Sequence, residues 1–122
     1  FKNQIHEWIK FFLETIKEAT KETIFIIDKV IDLKTELEEQ IKAEFKGASN
    51  NALEVLKSLF ENFITDAKMC TKIISKSPAT VINILNKLEE LGIVKEITHQ
   101  KRNRVYFFDK YMRVINEKIT LN

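Results

Sequence analysis

Helix breakers are what this chain of 122 residues has least of. It holds two glycines and one proline, and the first 45 residues contain neither. Few places can therefore interrupt a helix. With only Gly47 and Gly92 available, neither GxxxxGK(S/T) nor GxGxxG can be written, so a glycine-rich phosphate cradle is excluded. Cysteine occurs once, as Cys70, so no internal disulfide can form, which fits a reducing compartment and a small core residue. The two histidines, His6 and His99, lie far apart in the chain. Cys70 has no Cys or His at ligand spacing, so the residues a zinc site needs are gathered nowhere. No apolar run approaches the ~20 residues of a membrane span. No basic start leads into an unbroken apolar stretch, as a signal peptide would. These absences predict a cytoplasmic protein without a membrane partner. The chain begins at Phe1 and reads as a piece of a longer or processed protein. The acidic pairs Glu38-Glu39 and Glu89-Glu90 fall on exposed helical faces and form no acid–base pair. No catalytic residue and no cofactor site is expected.

What is present is apolar periodicity and charge. Hydrophobic residues make up 44% and charged residues 31%, the profile of a folded helical protein. The net charge of +2 hides an asymmetry: residues 1–50 carry 8 Lys against 10 Asp and Glu, and residues 51–122 carry 12 Lys and Arg against 8. The positive half is a weak pointer to nucleic acid.

Two modules follow along the chain. In the first, residues 1–46, apolar side chains recur at Ile5, Trp8, Ile9, Phe12, Leu13 and Ile16. They resume from Ile24 through Leu33 and Leu37 to Ile41 and Phe45. That is one face of an α-helix. The stripe thins at KEATKET, residues 17–23, where either one helix runs through or two meet. A continuous helix would be roughly 65 Å long. It cannot bury its stripe alone and needs a partner, a second copy or a missing domain. Phe1, Phe11 and Phe25 sit off the main stripe and widen the apolar surface. FKGASNNA, residues 45–52, predicts the boundary, with Gly47 as a left-handed cap and Ser49, Asn50 and Asn51 as loop and N-cap residues.

The second module, residues 47–122, is more specific. Leu53, Leu56, Leu59, Phe60 and Phe63 predict a helix over about 52–62. Thr65 or Asp66 caps a short helix over about 66–73, buried through Ala67, Cys70 and Ile73 or Ile74. After ISKS, Ser77 and Pro78 open a helix as N-cap and first helical residue, and Gly92 ends it. Val81, Leu85, Leu88 and Leu91 face in. IVKEI (93–97) and RVYFF (104–108) read as strands joined by the basic turn THQKRN. DKYMRVINEKI (109–119) is a last amphipathic helix with Tyr111, Met112, Ile115 and Ile119 inward. The predicted class is mainly α: a long helical segment, then a winged helix-turn-helix with a two-stranded hairpin wing. In such a fold the third helix enters a major groove and the wing follows the phosphates.

Candidate nucleic-acid contacts follow from that placement. On the third helix they are Lys76, Ser77, Thr80, Asn83, Asn86 and Lys87, short polar or basic groups able to bond phosphates or base edges. On the wing they are His99, Lys101, Arg102 and Arg104. Val105 and Phe107 are expected to turn inward by period two and pack the wing on the helices. The helix lacks Arg, the commonest reader of guanine, and Ile82 sits near its reading face, so backbone contact should outweigh sequence reading. The competing expectation is a protein-binding module, since a winged helix does not by itself fix function.

Three stretches, HEWIKFFLETI (6–16), ALEVLKSLFEN (52–62) and LEELGIVKEITHQKRNRVYFFDKY (88–111), together resemble the C-terminal region of bacterial and archaeal Fic-family proteins (filamentation induced by cAMP). The resemblance covers nearly the whole chain: the last helix of the Fic core, a helical linker and an appended winged helix. It implies a parent that transfers AMP from ATP to a hydroxyl side chain of a target protein, using a divalent metal and the motif HPFxxGNGR. That motif does not occur in this chain, so no catalytic residue carries over. The resemblance also implies either the missing Fic core or a second copy as partner of the N-terminal helix. The chain departs from the family pattern at Ile82 and Asn83, where polar or basic residues are usual.

Overall fold

A computed structural model describes residues 2–120, with side chains through Asn116. Phe1 and the side chain of Ile119 lie outside the described residues. Helix α1 runs unbroken from Lys2 to Phe45. The thinned segment at 17–23 does not interrupt it, because Lys, Glu, Ala and Thr supply no breaker and each threonine satisfies its hydroxyl within the helix. Thr20 Oγ1 donates to the Ile16 carbonyl at 2.8 Å and Thr23 Oγ1 to the Ala19 carbonyl at 2.9 Å.

A 3₁₀ turn, Lys46–Ala48, links α1 to α2 (Ser49–Asn62). The expected left-handed cap at Gly47 is not there. Lys46 takes the positive φ of 48°, and Gly47 lies within the turn. Ser49, Asn50 and Asn51 form the first turn of α2, whose N-cap, Ala48, makes no side-chain bond. The connection is too tight for a loop.

Strand β1 (Ile64–Asp66) precedes α3 (Ala67–Ile74), and α4 spans Pro78–Glu90. Strands β2 (Lys95–Glu96) and β3 (Val105–Phe107) form the wing, and α5 spans Asp109–Thr120. The protein is mainly helical, with a winged helix-turn-helix behind a long N-terminal helix. The sheet has three antiparallel strands in the order β1-β3-β2, not the two expected. Ile64 and Thr65 are β-branched and close the second edge of β3, Thr65 opposite Tyr106. Thr65 is therefore buried in a strand. Asp66 alone caps α3, its Oδ1 accepting from the Met69 N–H at 2.7 Å.

The phase of β3 also differs from expectation. Tyr106 (3% exposed) and Phe108 (0%) are buried, while Val105 and Phe107 are only half-buried. Phe108 lies edge-on to Phe60, ring centres 4.9 Å apart, and its N–H bonds the Phe63 carbonyl at 2.8 Å. That bond and the Thr65–Tyr106 pairing set the register, and a register fixes which side of a strand faces in. Ile93 and Val94, expected in a strand, are buried connection residues, leaving β2 two residues long.

One core serves the whole body. Leu33, Leu37, Ile41 and Phe45 of α1 join Val55, Leu56 and Leu59 of α2, Val81, Leu85 and Leu88 of α4, and Phe108. Each such side chain contributes about 1.5–3 kcal/mol on burial. Ile84 also faces in, while Leu91 and Ala67 only pack at the margin, and of Ile73 and Ile74 the latter is buried. Cys70 is fully buried, its sulfur 3.2 Å from the Thr65 hydroxyl. Burial pushes its thiol pKa up, opposed by the Thr65 hydrogen bond and reinforced by the Asp66 charge, so it is no thiolate nucleophile. Among the described residues, no helix is long and apolar enough to cross a membrane.

Candidate nucleic-acid interface

The turn between α3 and α4 is built as the residues suggest. Ser75 closes α3 in the left-handed region at φ 52°, its N–H bonding the Thr71 carbonyl at 2.9 Å. Ser77 caps α4: its Oγ accepts from the Thr80 N–H at 3.3 Å and lies 3.0 Å from the Thr80 hydroxyl. Pro78 occupies the first turn, where its missing N–H costs nothing. Gly92 follows α4 with φ +76°, a conformation other residues resist. Its carbonyl accepts from Arg113 Nη2 at 2.7 Å, fastening the base of the wing to α5.

The wing turn is organised by one carboxylate. Glu96 accepts from the Thr98 hydroxyl and from the His99 N–H at 3.0 Å. The Thr98 hydrogen bond is the main cause holding its pKa below the ordinary carboxylate value. Thr98 Oγ1 in turn accepts from the Val105 N–H at 3.2 Å, crossing the hairpin. His99 and Asn103 take positive φ, 53° and 55°. Gln100 Nε2 bonds the Asn103 carbonyl at 2.9 Å, and Arg104 Nε bonds the Gln100 carbonyl at 2.7 Å. Lys101 and Arg102 are left at the tip, exposed and without a hydrogen bond or ion pair among the described residues.

The groove between wing and helices is the feature this geometry creates. It encloses about 540 Å³ and is lined by Lys101, Arg102 and Arg104 from the wing, Ile82 from α4 and Lys68 from α3. Four cationic side chains thus border one concave surface. Asp66 also reaches it, but its carboxylate is engaged in capping α3. Ile82, 45% exposed, forms an apolar patch in the groove.

The other candidates fall into four groups. Lys76, Asn83 and Asn86 are exposed along α4 and its approach, outside the groove lining. Ser77 and Thr80 spend their hydroxyls on the cap. Lys87 is drawn away altogether: its Nζ donates to the Glu44 carbonyl at the end of α1 and lies 4.9 Å over the Phe45 ring. It fastens α1 to α4 and satisfies a terminal carbonyl that α1 leaves open. His99 lies outside the groove lining, in a second hollow it shares with Glu89, Glu96, Gln100, Lys101 and Arg104, where two carboxylates stand among the wing cations. Lys68 was not among the sequence candidates. Its only signal was an exposed position on α3, and nothing in the sequence brings α3 beside the wing. Among the described residues, no group of three or more His, Cys, Asp or Glu is placed to hold a metal ion.

No protein-family model matches the chain, and no curated protein matches it.

Proposed function

We propose that the second module, residues 47–122, acts as a winged-helix module that binds duplex nucleic acid chiefly through its phosphates. The observation that carries the reading is the groove bordered by Lys68, Lys101, Arg102 and Arg104, with two of the wing cations unpaired. Phosphate contact needs cations held in place. The Glu96 and Thr98 bonds hold the wing's backbone while its tip stays free. Base reading is subordinate, since α4 offers only Asn83 and Asn86 as exposed amides beside Ile82.

The resemblance of residues 6–16, 52–62 and 88–111 to Fic-family proteins supports a wider proposal. The chain is the non-catalytic C-terminal portion of a cytoplasmic protein AMP-transferase whose ATP and divalent metal are held elsewhere. The module then places that transferase near nucleic acid. The alternative is a protein-interaction or dimerisation module that positions the AMPylation target. The exposed apolar end of α1 favours it.

Fluorescence anisotropy on random duplex DNA across a salt series tests the first reading. Replacing Lys101, Arg102 and Arg104 together by Ala should weaken binding and reduce the steepness of its salt dependence by about 2–3 in log–log slope. Equal affinity of parent and triple variant, or no binding at low salt, sinks it.

A further inference from the structure

The N-terminal two thirds of α1 stands clear of the body. From Ile5 to Ile31 eleven large apolar side chains are 40–69% exposed, Phe11 and Trp8 most of all. Their spacing is more regular than a general apolar face. Apolar or small residues recur at alternating steps of four and three from Ile5 to Leu37, the a and d positions of a heptad repeat sustained over more than four heptads. The last of these, Leu33 and Leu37, are buried in the body, so the exposed seam is a direct continuation of the core face.

We propose that this seam pairs with that of a second copy of the chain, antiparallel, about a two-fold axis between residues 17 and 18. Three observations select that partner and orientation. The first is shape. With this axis the seam layers are Ile5 with Val30, Ile9 with Ile26, Phe12 with Thr23, and Ile16 with Ala19, so the small residues of the middle meet the large ones. A parallel pair would set Ala19 on Ala19 and Thr23 on Thr23, opening gaps, and Phe12 on Phe12, crowding.

The second observation is length. The same axis brings Lys2 level with Leu33, where α1 enters its own core, so the overlap uses the whole exposed stretch and stops at the body.

The third is charge. Residues 2–31 carry 5 Lys and 5 Asp or Glu, so two copies do not repel. The flanking positions pair Trp8 with Lys29 and Thr15 with Glu22, without a like-charge contact. The area suffices. At roughly 100 Å² for each half-exposed large side chain at the seam and its flanks, about 700 Å² is covered per copy, near the ~800 Å² per partner of a stable dimer.

Sedimentation equilibrium of the 122-residue chain should give twice its 14.4 kDa mass. Ile9→Asp and Ile16→Asp should each raise the dissociation constant about a hundredfold or more, since two buried side chains are lost per dimer. The melting of the body should be retained, since neither residue touches its core. Orientation is read with a spin label on Lys2→Cys, because buried Cys70 leaves the label to the new thiol. The antiparallel pair places the two labels about 45 Å apart, whereas a parallel pair places them about 10 Å apart. A monomer at every concentration, a dimer indifferent to both aspartates, or a short label distance overturns the proposal. None of these readouts depends on DNA binding, so this proposal and the phosphate-binding reading fail independently; the second copy takes the place of a missing Fic core on the same seam.

Discussion

The two ends of α1 carry the same apolar rhythm and meet opposite fates. Leu33, Leu37 and Ile41 are at most 2% exposed, while Ile5, Ile9 and Ile16 are close to half exposed. Residue type, spacing and helical conformation are alike on both sides, so none of them explains the difference. What differs is the presence of α2, α4 and α5 beside the C-terminal third. A helical stripe states that a surface must be covered. It does not state by what, or whether the cover belongs to the same chain.

The comparison can be broken most directly by truncating one side chain on each side. Leu37→Ala should cost about 3 kcal/mol or more in urea unfolding, as fully enclosed leucines do. Ile9→Ala should leave the unfolding of the monomeric body nearly unchanged. Equal effects would mean that the two halves of the stripe are equally buried. A finer test concerns the join between α1 and the body. Lys87→Ala removes the cation over Phe45 and the bond to the Glu44 carbonyl, and should lower stability by about 1 kcal/mol. It should not change affinity for DNA, whereas the wing triple variant should do the reverse.

The smallest expected effect lies in the wing, the other exposed part of the molecule, and sharpens the contrast between a surface held by hydrogen bonds and one left uncovered. Glu96 has a folded pKa depressed chiefly by its bond from Thr98. Its contribution is therefore complete above the ordinary carboxylate pKa and is lost as the pH falls through the depressed folded value. Protection of the His99 amide, its exchange rate relative to the intrinsic rate at the same pH, should fall in that acid window, and Glu96→Gln should lose protection already at neutral pH. An amide that exchanges alike in both proteins would remove Glu96 from its organising role.

Much of the second module was legible in the sequence because its signals are local. Ser77 and Pro78 announce α4, Gly92 ends it, and THQKRN between two β-branched or aromatic runs announces the wing. Each depends on residues within a few positions of one another. The misread features depend on distant ones. Thr65 has the sequence position of a cap because it precedes a helix, yet β3 takes it as a strand partner. Val105 and Phe107 turn outward against expectation because alternation has two phases and the sequence does not choose between them. Lys87 stands on the face of α4 opposite Val81 and Leu85, where a phosphate contact is reasonable until the end of α1 is seen beside it. Lys68 joins the candidate site only because the fold sets α3 across the groove from the wing.

The sequence by itself determined the helices, the start and end of α4, the basic wing tip and the apolar stripe of α1, because propensity, capping and periodicity act within a few residues along the chain. Only the tertiary structure decided which third of that seam is buried, which face of β3 points inward, and which cations border the groove. Those outcomes depend on what stands opposite each residue across space. Burial, register and electrostatic pairing are properties of that opposing surface, and residues as far apart as Glu44 and Lys87 supply it.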